Sequence, residues 1–369
     1  MRCSASPASR AASPPPHGSR AAALGAFLAA FAASRAGLLA ACVVTGFSLG
    51  GLTVVLSASL LAATGATRLG RCVGLGTGIA YGACNVPAIF QAPAFGQAIA
   101  AGAVALAASF APGWLRPVGE PPPVAPDYRG RVEAAWISIL VALVGLDSAA
   151  FHVIQHVPGL RAGSWGTTPA LWGNAAMHLL AALVAGWAFD RGWRGRLAAL
   201  ALLLLATAGG MLSDPAGGAP AHLLYVAGVS LYSVVLVAYP ALGARPWLSA
   251  RVFAFAGWIG SALGIGLVLD RTQIPAGGIA LAVAIFSTAW LSRHRVLRSG
   301  LAVLAVLAIL PRSARAGVVA GGLIRGHEVG ATLERKDPSR SSGRLPARLF
   351  HTDPPHPALR APLSRGDFV

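Results

Sequence analysis

Residues Ala134–Ile154 read Ala-Ala-Trp-Ile-Ser-Ile-Leu-Val-Ala-Leu-Val-Gly-Leu-Asp-Ser-Ala-Ala-Phe-His-Val-Ile, an apolar run with one carboxylate, Asp147, inside it. About 20 apolar residues are needed to cross the hydrocarbon core as a helix, and this run suffices. Five further runs follow it, Pro169–Ala188, Leu197–Leu212, His222–Leu242, Val252–Leu269 and Ala276–Leu291. Before it lie Ala21–Ala33, Gly37–Ala63, Val73–Phe90 and Gln97–Phe110, of which the first is short and the last two marginal. Gly300–Leu310 with Ala316–Ile324 reads as one more span or an interfacial helix. The expected fold is all-α: a polytopic transmembrane helical bundle of about 10–11 helices in two bundles, each crossing needing about 20 residues.

Composition agrees. Of 369 residues, 55% are hydrophobic and 11% charged, against about 25% charged in soluble domains; the mean hydropathy is +0.65. The net charge of +17 is carried by arginine, Lys336 being the sole lysine. No basic run is interleaved with aromatics, so the excess reads as coding bias plus topology signals, and no nucleic-acid partner is expected. Cys3, Cys42, Cys72 and Cys84 form no CxxC and are expected to be small buried hydrophobes. No catalytic triad, paired-carboxylate site or Walker loop is present, so no enzyme activity, cofactor or metal is expected.

The loops bearing Arg68/Arg71, Arg129/Arg131, Arg191/Arg194/Arg196, Arg245/Arg251 and Arg293/Arg295/Arg298 alternate with the poorly charged Gln91–Gly96, Ser213–Ala219 and Asp270–Gly278. Basic loops face the cytoplasm. An inner-membrane, multi-pass chain with a cytoplasmic N-terminus, marked by Arg20, is therefore expected. Its organisation reads as a disordered basic N-terminus (1–20), an incomplete N-terminal bundle (21–110), a cytoplasmic linker (111–132), a six-helix bundle (133–297), an extra apolar segment (298–324) and a disordered tail (325–369).

The loop after the second helix of the six-helix half reads Gly186-Trp-Ala-Phe-Asp190-Arg191-Gly192-Trp-Arg194-Gly195-Arg196. It resembles the Gly-x-x-x-Asp-Arg-x-Gly-Arg-Arg loop of the major facilitator superfamily, which lies between helices two and three of each half. The resemblance covers roughly Ala21 to Leu297. It implies a transporter that moves a small solute by alternating access, with Asp190 pairing with arginine and a neighbouring helix terminus to latch the two bundles. Matched to that fold, the first two helices and their copy of the loop are absent, unless Thr67-Arg-Leu-Gly-Arg71 is a remnant of it. A truncated, non-transporting remnant is therefore one alternative. In the tail, Ile324-Arg-Gly-His-Glu-Val329 resembles the start of the cytochrome c domains fused to some transporter-like proteins, but no cysteine follows Cys84 and no CxxCH can form.

Ionisable groups inside a membrane mark pathways or sites by default. Asp147, His152, Gln155 and His156 lie on one span and Asn174 and His178 on the next. His152 and His156, one turn apart, could pass protons or hold a metal or haem. The cluster Asp147, His152, His156, Asn174 and His178 is the expected substrate or proton pathway, with His178 the expected partner of Asp147. Structural hydrogen bonding between helices, and an electron-transfer or oxidase-associated role with haem or copper on these histidines, stay open. Gly74, Gly76 and Gly78 suggest close helix packing. Tyr225, Tyr232, Ser233 and Tyr239 suggest either cavity lining or interfacial anchoring.

Overall fold

In lipid, backbone N–H and C=O groups have no water to bond, so an apolar run must satisfy them internally as a helix. The computed structural model describes residues 17–110, 130–212 and 218–293, and every regular element among them is helical. These are α1 (His17–Ala30), α2 (Arg35–Thr64), α3 (Leu69–Cys84), α4 (Pro87–Phe90), α5 (Ala94–Ala108), α6 (Gly130–His156), α7 (Pro158–Trp165), α8 (Thr168–Asp190), α9 (Arg194–Met211), α10 (Gly218–Leu242), α11 (Pro246–Val252), a π-helical turn over Phe253–Gly260, α12 (Ser261–Val268) and α13 (Ala276–Arg293). Among the described residues, seven helices are long and apolar enough to cross a membrane: α2, α6, α8, α9, α10, the continuous Pro246–Val268 and α13. The chain is an all-α polytopic bundle, a multi-pass membrane protein. The expected linker, extra apolar segment and tail lie largely or wholly outside the described residues, as do residues 1–16.

Helix α1 starts at His17, inside the stretch expected to be disordered, because Gly18 packs on Leu52 of α2 and Ser19 is buried. α1, α3 and α5, at 14, 16 and 15 residues, are about 21–24 Å long at ~1.5 Å per residue, less than the hydrocarbon thickness. α1 packs against α2 and α5. α3 instead makes its main contact with α8, and α6 forms the hub for α9, α12, α13 and the π-helical turn.

Two close crossings hold these helices. On α3, Gly70, Gly74 and Gly78 recur at i, i+4, i+8 and face Gly186, Ala182 and Leu179 of α8; a Cβ on Gly74 would overlap the Ala182 carbonyl and sit 3.0 Å from the Gly186 Cα. Gly76, part of the stripe read in the sequence, points the other way into open space. At the second crossing Gly145 of α6 meets Gly260 and Gly264 backbone to backbone, and Ser148 donates a 2.9 Å hydrogen bond to Ser261. Without a hydrophobic drive between helices in lipid, such close packing and interhelical hydrogen bonding provide the association.

The arginine-rich helix ends meet one another. Arg71 pairs with Asp190 at 3.0 Å, Arg251 with Glu133 at 3.2 Å, and the Arg293 guanidinium lies 4.2 Å from the Trp136 ring centre. At the other end Trp165 contacts Phe90 and Phe151, with ring centres 5.9 and 5.4 Å apart, an aromatic layer of the kind found at membrane interfaces. The α2 face carrying Leu39, Val43 and Phe47 is exposed, Phe47 by 86%, an apolar surface of the kind that contacts a membrane or another protein. Cys42, Cys72 and Cys84 are exposed rather than buried, because α2 and α3 turn much of their circumference away from the bundle.

Gly74→Ala should destabilise the purified protein by about 1–3 kcal/mol through overpacking, whereas Gly76→Ala should leave it unchanged or slightly more stable. Thermal midpoints of the two variants in one detergent check this.

Candidate functional site: a polar cluster across α3, α6, α8 and α10

The Asp147 carboxylate, part-buried on α6, is held by two phenols of α10. Tyr225 Oη donates to Oδ1 at 2.7 Å and Tyr232 Oη donates to Oδ2. Tyr225 and Tyr232 are seven residues apart, two helical turns, so both reach the same neighbour. No cationic side chain lies within 4.0 Å of Asp147 among the described residues. His178, its expected partner, faces elsewhere. Its ring stacks on Tyr81 of α3 with centres 4.6 Å apart, and its Nδ1 lies 2.8 Å from Ser230 Oγ. Partner choice depends on how α8 and α10 rotate about their axes, which spacing along α8 alone does not determine.

The tautomer of His178 follows from its surroundings. The Ser230 hydroxyl gives its proton to the Val226 carbonyl at 3.1 Å, so it accepts from His178 Nδ1–H, and in the neutral ring Nε2 is then the acceptor. Tyr81 Oη and Ser233 Oγ are 2.9 Å apart, and Ser233 adjoins Tyr232. Asp147, Tyr232, Ser233, Tyr81 and His178 thus form a chain of neighbours spanning four helices.

A second layer lies nearer the aromatic end. Asn174 Nδ2 donates to the Ser164 carbonyl at 3.0 Å, and His222 Nε2 bonds Asn174 Oδ1. The amide oxygen can only accept, so Nε2 carries the proton. His222 Nδ1 is then a lone-pair acceptor, buried and without a hydrogen bond. His222 was missed in the sequence, where it reads as the first residue of a span. The signal was its spacing: His222, Tyr225, Val229 and Tyr232 fall at i, i+3, i+7 and i+10, one face of α10.

His152 and His156 stand apart from this chain. Their rings stack 4.0 Å apart near the end of α6, His156 is exposed, and its Nδ1 bonds the His152 carbonyl at 2.9 Å. Among the described residues no three His, Cys, Asp or Glu side chains gather where they could hold a metal.

The Gly186–Arg196 segment divides into three parts. Gly186 lies in the α3 crossing. Gly192, at φ 83°, closes α8 with a Schellman motif in which its N–H bonds Phe189 O at 3.0 Å and the Trp193 N–H bonds Ala188 O at 3.1 Å. Arg191, Arg194 and Arg196 stack over Trp187, Phe189 and Trp193 at 3.4, 5.3 and 5.4 Å. Asp190 reaches across to α3, accepting from Gly70 N at 2.6 Å, Arg71 N at 3.1 Å and Arg71 Nε at 3.0 Å. Arg68, the N-cap residue of α3, makes no side-chain cap bond, so a carboxylate from another helix caps α3 and complements its dipole. Thr67–Arg71, read as a remnant of the loop, is the segment that Asp190 grips.

Fold and site together define a multi-pass helical membrane protein with a carboxyl group and two imidazoles in its interior. No protein-family model and no curated protein matches this chain.

Asp190→Ala should cost about 1–3 kcal/mol, because the buried Gly70 N–H loses its acceptor. Arg71→Ala should cost far less, since that side chain is 59% exposed and its ion pair is screened. Thermal unfolding of both variants at low and high salt checks the ordering.

Proposed function

We propose that the chain is a membrane transporter of the major-facilitator type that moves a small solute by alternating access, with Asp147 as the proton-exchanging group. The observation that carries this reading is a carboxylate within a membrane span, hydrogen-bonded by Tyr225 and Tyr232 and lacking any cationic partner among the described residues. An ionisable group inside a membrane span is costly and by default marks a functional site or pathway. Two phenols stabilise the carboxylate yet leave it free to take up a proton or a cargo.

The surroundings fit the same role. The cluster draws side chains from α3, before the 111–132 segment, and from α6, α8 and α10, after it, so a change in how these helices pack would remake the site. Asp190 joins α8 to α3 at the arginine-rich end, which the positive-inside rule places in the cytoplasm. A contact made of a capping carboxylate and an exposed arginine can separate and re-form as the helices rock.

Reconstitution into proteoliposomes with an imposed pH gradient tests the reading. Solute uptake driven by the gradient is expected for the native chain, abolished in Asp147→Asn and reduced about 10-fold in Tyr232→Phe, the scale of one hydrogen bond to a charged group. Gradient-driven uptake unaltered in Asp147→Asn would exclude Asp147 as the coupling residue.

A further inference from the structure

Apart from one hydroxyl proton of the Tyr81–Ser233 pair, the unused hydrogen-bonding capacity of the cluster is for accepting. A carboxylate offers about four lone-pair sites, and the two tyrosines occupy only two of those on Asp147. His222 Nδ1 is buried and has no hydrogen-bond partner among the described residues. His222 is only 5% exposed, and leaving a buried imidazole nitrogen without a partner costs free energy that a ligand donor would recover. Of the arginines in the described spans, Arg71 and Arg251 pair with Asp190 and Glu133, and Arg191 and Arg293 stack on aromatic rings, all near helix ends. An anion would meet no countercharge at the level of Asp147, and would add a like charge beside it. Aromatic side chains surround the carboxylate: Tyr225 and Tyr232 bond it, and Tyr81 joins them through Ser233. Such rings bind cations through their faces and apolar groups through their area.

We propose that this cluster binds a primary ammonium with an apolar body, its charge neutralised by Asp147 and its N–H groups directed to the carboxylate lone pairs that Tyr225 and Tyr232 leave free. The proposal rests on the transport reading above and names its substrate class. Proton and cargo then compete for one carboxylate: the protonated Asp147 releases H⁺ as the ammonium forms its ion pair, and takes H⁺ back as the ammonium leaves. Atoms and charge balance without any further ion, so the exchange is one cation for one proton.

Three probes of one shape and different charge test this: benzylammonium, benzyl alcohol and benzoate, titrated calorimetrically into the purified full chain. Benzylammonium should bind at least about 10-fold more tightly than benzyl alcohol, the scale of a hydrogen bond to a charged group, and benzoate should not bind. In the native chain its affinity should fall as the pH is lowered, with protons released on binding. In Asp147→Asn, with folding checked by its thermal transition, the preference for benzylammonium should vanish. Equal or tighter binding of benzoate or benzyl alcohol, no binding of benzylammonium, or unchanged benzylammonium affinity in folded Asp147→Asn would overturn the proposal. Should that variant not fold, the pH dependence in the native chain decides, and a flat profile overturns it. Benzylammonium binding without uptake into proteoliposomes would overturn the transport reading and leave the cation site standing.

Discussion

The structure depends on how closely α3 can approach α8. Gly70, Gly74 and Gly78 bring the two backbones together where side chains would hold them apart, and in lipid that intimacy substitutes for the hydrophobic effect. The Asp190 carboxylate, capping α3 from the end of α8, sets the register of the crossing. The register decides what happens three turns further along, where Tyr81 lands on the ring of His178 and within reach of Ser233. A glycine stripe and a capping carboxylate at one end of the bundle thus build a polar cluster deep inside it.

That cluster is unusual in what it lacks. Interior charges in membrane proteins are generally paired, yet Asp147 is held by phenols. Phenols supply donors without supplying charge, so the carboxylate is stabilised in place without being neutralised. The two histidines are each anchored to a neighbouring helix through one ring nitrogen. Arg71 and Arg251 bridge helices at their ends, and Arg191 and Arg293 stack there on tryptophans.

Much of this was legible in the residues. The six runs from Ala134 to Leu291 correspond to α6, α8, α9, α10, Pro246–Val268 and α13, because a bilayer permits so few alternatives to a helix. Asp147 stood out for the same reason, as a carboxylate amid apolar neighbours. The loop with Asp190 carried its own stop signal in Gly192. Partnerships were not legible. Asp147 could have met His178, and the choice of Tyr225 and Tyr232 depends on rotation of α10 about its axis, a tertiary outcome. His152 and His156 share a helix face with each other and not with Asp147, so they stack together outside the cluster. His222 hid at a span boundary, although its spacing to Tyr225 and Tyr232 placed it on the functional face. Cysteines that looked like core residues lie on helix surfaces turned away from protein, since in a membrane apolar composition does not distinguish core from periphery.

The proposed transport cycle requires Asp147 to exchange its proton while hydrogen-bonded to Tyr225 and Tyr232. Infrared difference spectroscopy of the protein in lipid nanodiscs, across a pH titration, observes that group directly through the carbonyl stretch of a protonated carboxyl. A titrating band that disappears in Asp147→Asn and shifts in Tyr225→Phe and Tyr232→Phe is the predicted result. A spectrum in which no titrating carboxyl depends on Asp147, or in which that band is indifferent to both tyrosines, would contradict it.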